Sequence, residues 1–251
     1  MRGTVYLVGA GPGAADLLTL RAARLLAEAD IVFHDALVPQ AILALAPQAE
    51  KIAVGKRSGK HSTAQRFINK RLADAARKHR VVVRLKGGDP LLFGRAQEEI
   101  AYLRSHAIAV QVVPGVTAAL AAAADLGVSL TQRGRARSVA FVTPRVAAGE
   151  SASTWLQTVL AADTAAIYMG AGEAASIAAA LIAAGKSPGT PAVVIENASL
   201  EQARSARGTL AELALLAAQL GHGPALIVLG DVLRNVASAA QPAMLRTPLA
   251  R

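Results

Sequence analysis

Apolar positions along the chain fall into short, strongly β-branched runs separated by stretches with helical spacing. Runs at 5–9 and 81–85 read as buried parallel strands, and 31–34, 51–54 and 109–113 as further strands. Between the first two, Leu17, Leu20, Ala23 and Ala27 fall near one face of a helix predicted over 15–28. Further helices are predicted after Pro39, over 62–78 and over 95–105. Pro114-Gly115 breaks the series, and an alanine-rich helix follows. A second set of strands then lies near 139–143, 164–169, 191–196 and 224–230, with 193–199 and 202–208 read as an antiparallel edge. Residues 173–184 are apolar but short, as a buried helix would be, and 237–251 lack periodicity and read as a loose tail. Strand–helix alternation with one break predicts two α/β domains, 1–114 and 115–236, meeting at a cleft that holds the active site.

Two of the strands end in glycine. Val5 to Val8 runs into Gly9-Ala10-Gly11-Pro12-Gly13, and Val81 to Lys86 runs into Gly87-Gly88-Asp89-Pro90. Glycine lets main chain approach a ligand with no Cβ between them, and open α/β sheets bind ligands beyond the carboxyl ends of their strands. The pair therefore reads as two walls of one site. Gly9, Gly11 and Ala14 fit a dinucleotide fingerprint loosely, but Pro12 has no N–H to offer a pyrophosphate. The acid needed for a ribose is also misplaced, because Asp30 precedes the second strand and Asp35 follows it. A turn containing proline suits an uncharged or cationic ligand better than a phosphate.

Charge then narrows the partner. Lysine and arginine number 27 against 17 acids; 17 of the bases and 10 of the acids fall in residues 1–125, leaving +7 there and +3 beyond. Basic spots include Lys56 to Lys60, Arg84 with Lys86, Arg95, and Arg133 to Arg137. Aromatic residues make up only 3% of the chain and no nucleic-acid-binding motif is present, so bases beside glycine loops point to a polyanionic small molecule rather than nucleic acid. The five histidines lack metal-ligand spacing, and with no cysteine there is no thiolate site or disulfide. No apolar stretch is long enough to span a membrane and the N-terminus does not read as a signal peptide, so a cytoplasmic protein is expected.

The motifs, taken together, carry a resemblance. Gly9-Ala10-Gly11-Pro12-Gly13 with Leu17-Leu18-Thr19-Leu20, His34-Asp35-Ala36-Leu37-Val38 and Val54-Gly55-Lys56-Arg57 resembles the tetrapyrrole methylase family. Within it, Arg84 to Pro90 with Phe93-Gly94-Arg95, Val113 to Ala118, Tyr168-Met169-Gly170 and Glu196-Asn197-Ala198 are similar to the uroporphyrinogen III C-methyltransferases, in the same order from about residue 3 to 234. The resemblance implies a two-domain α/β methyltransferase, usually a homodimer. It would use S-adenosylmethionine and no metal to place two methyl groups on uroporphyrinogen III, giving precorrin-2 for sirohaem, cobalamin or haem d1. It also implies cofactor contacts at Pro12, Gly87, Gly88, Asp89, Leu92, Thr117, Ala118, Met169 and Ala198, a proton acceptor at Asp35 and a proton donor at Lys56. The substrate is a polycarboxylate, for which Arg84, Arg95 and Arg133 form the expected basic rim, with Glu98 in the same substrate-binding set.

The chain departs from that pattern in places. Thr131-Gln132-Arg133 stands where the family usually has Thr-His-Arg, Thr143-Pro144-Arg145 where it has Thr-Gly-His, and Gln65-Arg66-Phe67 where an acidic stretch is common. Two other readings stay open on sequence: a family relative acting on a later cobalt-precorrin or on ribosomal RNA, and an NAD-dependent oxidoreductase. The remaining length holds no second domain for oxidation or iron insertion, so a monofunctional chain is expected.

Overall fold

In the computed structural model, residues 3–55, 65–146 and 153–234 are described. Lys56 and the tail at 237–251 lie outside them. The chain divides into two compact units, Met1–Thr117 and Ala118–Arg251.

The first unit alternates strand and helix: β1 (Thr4–Gly9), α1 (Leu20–Ala27), β2 (Ile31–His34), α2 (Gln40–Leu43), β3 (Glu50–Ala53), α3 (Gln65–Ala76), β4 (Val81–Lys86), α4 (Ala96–Ser105) and β5 (Ala109–Val113). The strands form one parallel sheet in the order β3-β2-β4-β1-β5. Both faces of its central strands are covered, which is why they read as nearly continuous apolar runs. Val5, Leu7 and Val82 face α3 and α4, whereas Val8, Val83 and Leu85 pack with Ala22, Leu26 and Ile42 of α1 and α2. Each of these valine, leucine and isoleucine side chains contributes about 1.5–3 kcal/mol when fully buried.

The helix predicted over 15–28 is broken. Ala15–Leu17 is a single 3-10 turn, and α1 begins only after Thr19, whose Oγ1 accepts from Ala22 N at 3.1 Å. That cap resets the helical phase. The buried positions of α1 are Ala22 and Leu26, and Leu20, expected on the inner face, is 86% exposed.

The second unit contains α5 (Ala118–Leu126), β6 (Val139–Val142), α6 (Trp155–Ala161), β7 (Thr164–Tyr168), α7 (Ala174–Ala183), β8 (Pro191–Glu196), β9 (Arg204–Thr209), α8 (Leu213–Ala218) and β10 (Ala225–Gly230). Its sheet runs β6-β7-β10-β8-β9, parallel between β6 and β7 and antiparallel elsewhere. The edge expected from 193–208 is the β8–β9 pair. Glu196 closes it: its carboxylate accepts from Arg204 Nη2 at 2.8 Å, Gly223 N at 2.6 Å and Gly221 N at 3.1 Å. No described helix is long and apolar enough to cross a membrane.

Candidate active site

Because the first sheet is wholly parallel, the carboxyl ends of all its strands lie along one edge. The loops leaving β1, β4 and β5 there are stitched together. Ala10 N donates to Lys86 O at 2.7 Å, Gly88 N to Gly11 O at 2.7 Å, and Gly11 N to Gly88 O at 3.2 Å. The Asp89 carboxylate accepts from Leu91 N at 2.8 Å and from Gly115 N at 3.0 Å, tying the β4 loop to the β5 loop.

The glycines of this edge differ in what requires them. A Cβ on Gly9 would lie 2.6 Å from the Gly115 main chain and 2.7 Å from Gly88 O, so Gly9 is needed for the loops to touch at all. At Gly87 an added Cβ would meet only Leu37 Cβ at 3.8 Å, and at Gly88 only Thr117 Cα at 3.9 Å. Gly88 still needs to be glycine for its φ of +66°. Among the described residues Gly87 has neither a clash nor a positive φ to explain it, so they leave the space beside it open to a ligand. Pro12 and Leu92 are half-buried in the two loops, and Thr117 is buried where the first unit ends.

Asp35 sits at the end of β2 on the same edge, with its side chain 29% exposed. Its main chain is held by Asp35 N donating to Leu85 O at 3.3 Å. Its Oδ1 accepts from Arg84 Nη2 at 2.5 Å. Arg84 therefore departs from the rim expected of it: it is 3% exposed. Arg84 and Lys86 share the pleat face of Val82, so both side chains enter the α3–α4 layer instead of solvent. There they meet Glu99, which is fully buried. Burial, with Arg84 adding like-charge repulsion, lowers the Lys86 pKa from the usual lysine value against the pull of Glu99 and Asp35.

Glu99 is absent from the expected site residues. Its signal is its place on the stripe Ala96, Glu99, Ile100, Leu103 of α4, where an acid on a buried face demands a cation. Arg95 behaves oppositely to Arg84. It lies at the mouth of the β4 loop, 58% exposed, with Nε and Nη2 donating to the two oxygens of Glu98 at 2.7 and 2.8 Å. The Arg95 hydrogen bond, outweighing burial, holds the Glu98 carboxyl below its usual pKa.

In the second unit, β7 and β8 both run antiparallel to β10, so Met169 and Ala198 leave from one edge of that sheet. Both loops use non-glycine residues at positive φ: Met169 at +58°, Asn197 at +55° and Ser199 at +73°. α5 braces them. Ala119 N donates to Tyr168 Oη at 3.1 Å near its start, and Ser199 N donates to Asp125 Oδ2 at 2.6 Å near its end. Ala118 opens α5. Arg133 is exposed on a tight turn closed by paired hydrogen bonds between Gln132 and Ala136. Asp30, weighed for a ribose, caps the opposite edge of the first sheet, accepting from Arg80 N and Val81 N at 2.8 Å. Lys56 lies outside the described residues, and within them no group of histidines and acids is arranged to hold a metal ion.

Residues 4–214 match the family of Tetrapyrrole (Corrin/Porphyrin) Methylases, and the chain belongs to that family. The solved structure of uroporphyrin-III C-methyltransferase from Thermus thermophilus complexed with S-adenosyl homocysteine is 43% identical, with a TM-score of 0.81 over 92% of this chain and 99% of that one. The native form of the Thermus thermophilus enzyme is 41% identical, with a TM-score of 0.80 over 92% and 94%. A siroheme synthase from Pseudomonas fluorescens is 46% identical over 234 residues, which are 92% of this chain and 50% of that protein. The chain thus spans about half the length of the curated relatives it matches.

Proposed function

We propose that this chain is an S-adenosylmethionine-dependent C-methyltransferase that methylates uroporphyrinogen III twice to give precorrin-2. The observation that carries the reading is the unfilled space beside Gly87, on the same sheet edge as Asp35, in a chain 43% identical to a uroporphyrin-III C-methyltransferase seen with S-adenosyl homocysteine. The cofactor fits these residues. It carries no phosphate, so the N–H missing at Pro12 costs nothing, and the glycine main chain leaves room for a flat adenine with backbone hydrogen bonds. Pro12, Gly87, Gly88, Leu92 and Thr117 would hold it from the first unit, with Ala118, Met169 and Ala198 assigned from the second. Asp89 would act by fixing the loop, since both of its oxygens already bind main-chain N–H groups.

When bound, the cofactor supplies a methyl group already activated on a sulfonium. The protein's task is then alignment, for which proximity can supply about 7–11 kcal/mol, together with proton handling. Asp35 accepts the proton that leaves the substrate, and Lys56 donates one. Arg95, pre-oriented by Glu98, and Arg133 meet the substrate carboxylates, each charge-assisted bond contributing about 1.5–3 kcal/mol where partly desolvated. A homodimer is part of the same proposal, to be checked by sedimentation.

Calorimetry with S-adenosylhomocysteine and with NADH tests the cofactor half. S-adenosylhomocysteine is expected to bind the parent, and a folded Gly87→Val to lose at least about tenfold in affinity, because branched carbons fill the ligand's space without forcing a strained φ. Parental affinity in Gly87→Val, or tight NADH binding, would move the pocket elsewhere.

A further inference from the structure

Beneath Asp35 lies more buried charge than a single proton acceptor needs. Arg84, Lys86 and Glu99 are 3%, 3% and 0% exposed, and with Asp35 they make two cations and two anions in one cluster. Arg84 bonds in three directions: Nη2 to Asp35 Oδ1 at 2.5 Å, Nε to Glu99 Oε1 at 3.1 Å, and Nη1 to Leu85 O at 3.1 Å. Leu85 O is also the acceptor that pins the Asp35 main chain. Glu99 is fixed in turn, since Gln65 Nε2 donates to its Oε1 at 3.0 Å and Lys86 Nζ lies 3.3 Å from both oxygens.

We propose that Arg84, locked by Glu99, is a positioning residue that fixes the Asp35 carboxylate for its proton transfer. The inference rests on the reading of Asp35 as proton acceptor. The main chain of Asp35 is already anchored, so its side-chain torsions are what remain to be set, and one planar fork sets them from below while solvent reaches the other side. Buried this deeply, Arg84 does not reach a substrate carboxylate. A lysine here would keep the charge but, as a single point donor, could not reproduce the fork that spans Asp35 and Glu99.

The test is Arg84→Lys, alone and combined with Asp35→Asn. Alone it is expected to lower kcat about thirtyfold or more, with KM for uroporphyrinogen III and affinity for S-adenosylhomocysteine within about threefold of the parent. On the Asp35→Asn background it is expected to cost nothing further, because the two residues act as one unit. A multiplicative loss in the double variant, or a KM effect with kcat intact, overturns the proposal. Should Arg84→Lys not fold, Glu99→Gln with Lys86→Met removes one charge of each sign and is expected to give the same kcat loss, with parental kcat overturning it. Nitrogen-15 NMR of arginine side chains reads the clamp without turnover. Restrained Arg84 Nη signals are expected in the parent and averaged ones in Asp35→Asn, while averaged signals in the parent overturn the clamp. If the clamp is seen but uroporphyrinogen III is not turned over, the substrate reading fails and the clamp stands.

Discussion

Arg84 and Arg95 flank the same glycine loop, yet Arg84 is 3% exposed and fastened to Asp35 and Glu99, whereas Arg95 is 58% exposed and forks onto Glu98. The difference comes from the backbone beneath them. Arg84 stands on a central strand covered on both faces, so its side chain has only the α3–α4 layer to enter. Arg95 precedes the first turn of α4, at φ +55°, where the chain is leaving the sheet. One arginine is built into the fold and positions a neighbour. The other is exposed at the mouth of the loop, paired with Glu98.

The largest expected difference between the two arginines is in stability. Arg84→Met leaves Glu99 and Asp35 without their shared cation, and breaking a buried ion pair from one side costs about 3–5 kcal/mol. Urea unfolding should show a loss of that order, while Arg95→Ala, an exposed pair, should cost no more than about 1 kcal/mol. Equal losses would remove the distinction.

Next comes chemistry at the group Arg84 holds. Asp35→Asn keeps size and removes the base, so kcat is expected to fall about a hundredfold with S-adenosylhomocysteine affinity retained. A kcat within about threefold of the parent would make Asp35 structural.

A smaller effect belongs to the exposed arginine. Arg95→Ala is expected to raise KM for uroporphyrinogen III about tenfold, one charge-assisted bond after solvent screening, without altering S-adenosylhomocysteine affinity. Rising salt should weaken substrate binding less steeply in the variant than in the parent. An unchanged KM with an unchanged salt slope would place the carboxylates elsewhere.

The smallest effects are in pH, and they separate the two sites by the pH window in which stability rises. Glu98, held below the usual 4.5 by Arg95, contributes stability that is present above that value and lost as pH falls through its lowered pKa. Lys86 is held below 10.5 in the folded state, chiefly by burial. The unfolded chain therefore binds more protons between the lowered value and 10.5, and the Lys86 contribution makes stability rise with pH across that window. Urea midpoints against pH should lose the acid-side slope in Glu98→Gln and the alkaline rise in Lys86→Met.

The sheets were legible in the sequence because buried strands leave short apolar runs bounded by turn residues. Val81 to Leu85 is apolar but for Arg84, and the β8–β9 edge is marked by two runs with a short turn between them. The buried face of α1 is not the one that a period starting at Leu17 predicts, because the Thr19 cap starts the helix later. At the site, the glycine loops and Asp35 announce themselves by residue type and place at strand ends. The direction of Arg84 is different. It depends on which pleat face Val82 shares with it, and a buried acid such as Glu99 becomes visible only once α4 is packed against the sheet. Composition marks Arg84 and Arg95 alike as basic; only the fold tells them apart.

The proposed activity is transfer of two methyl groups to uroporphyrinogen III. Its most direct test is the product mass after anaerobic incubation of the purified chain with S-adenosylmethionine and uroporphyrinogen III. Sequential gain of one and then two methyl groups is expected, with the doubly methylated species accumulating. An unmodified macrocycle, from a folded protein that binds S-adenosylhomocysteine, would contradict it.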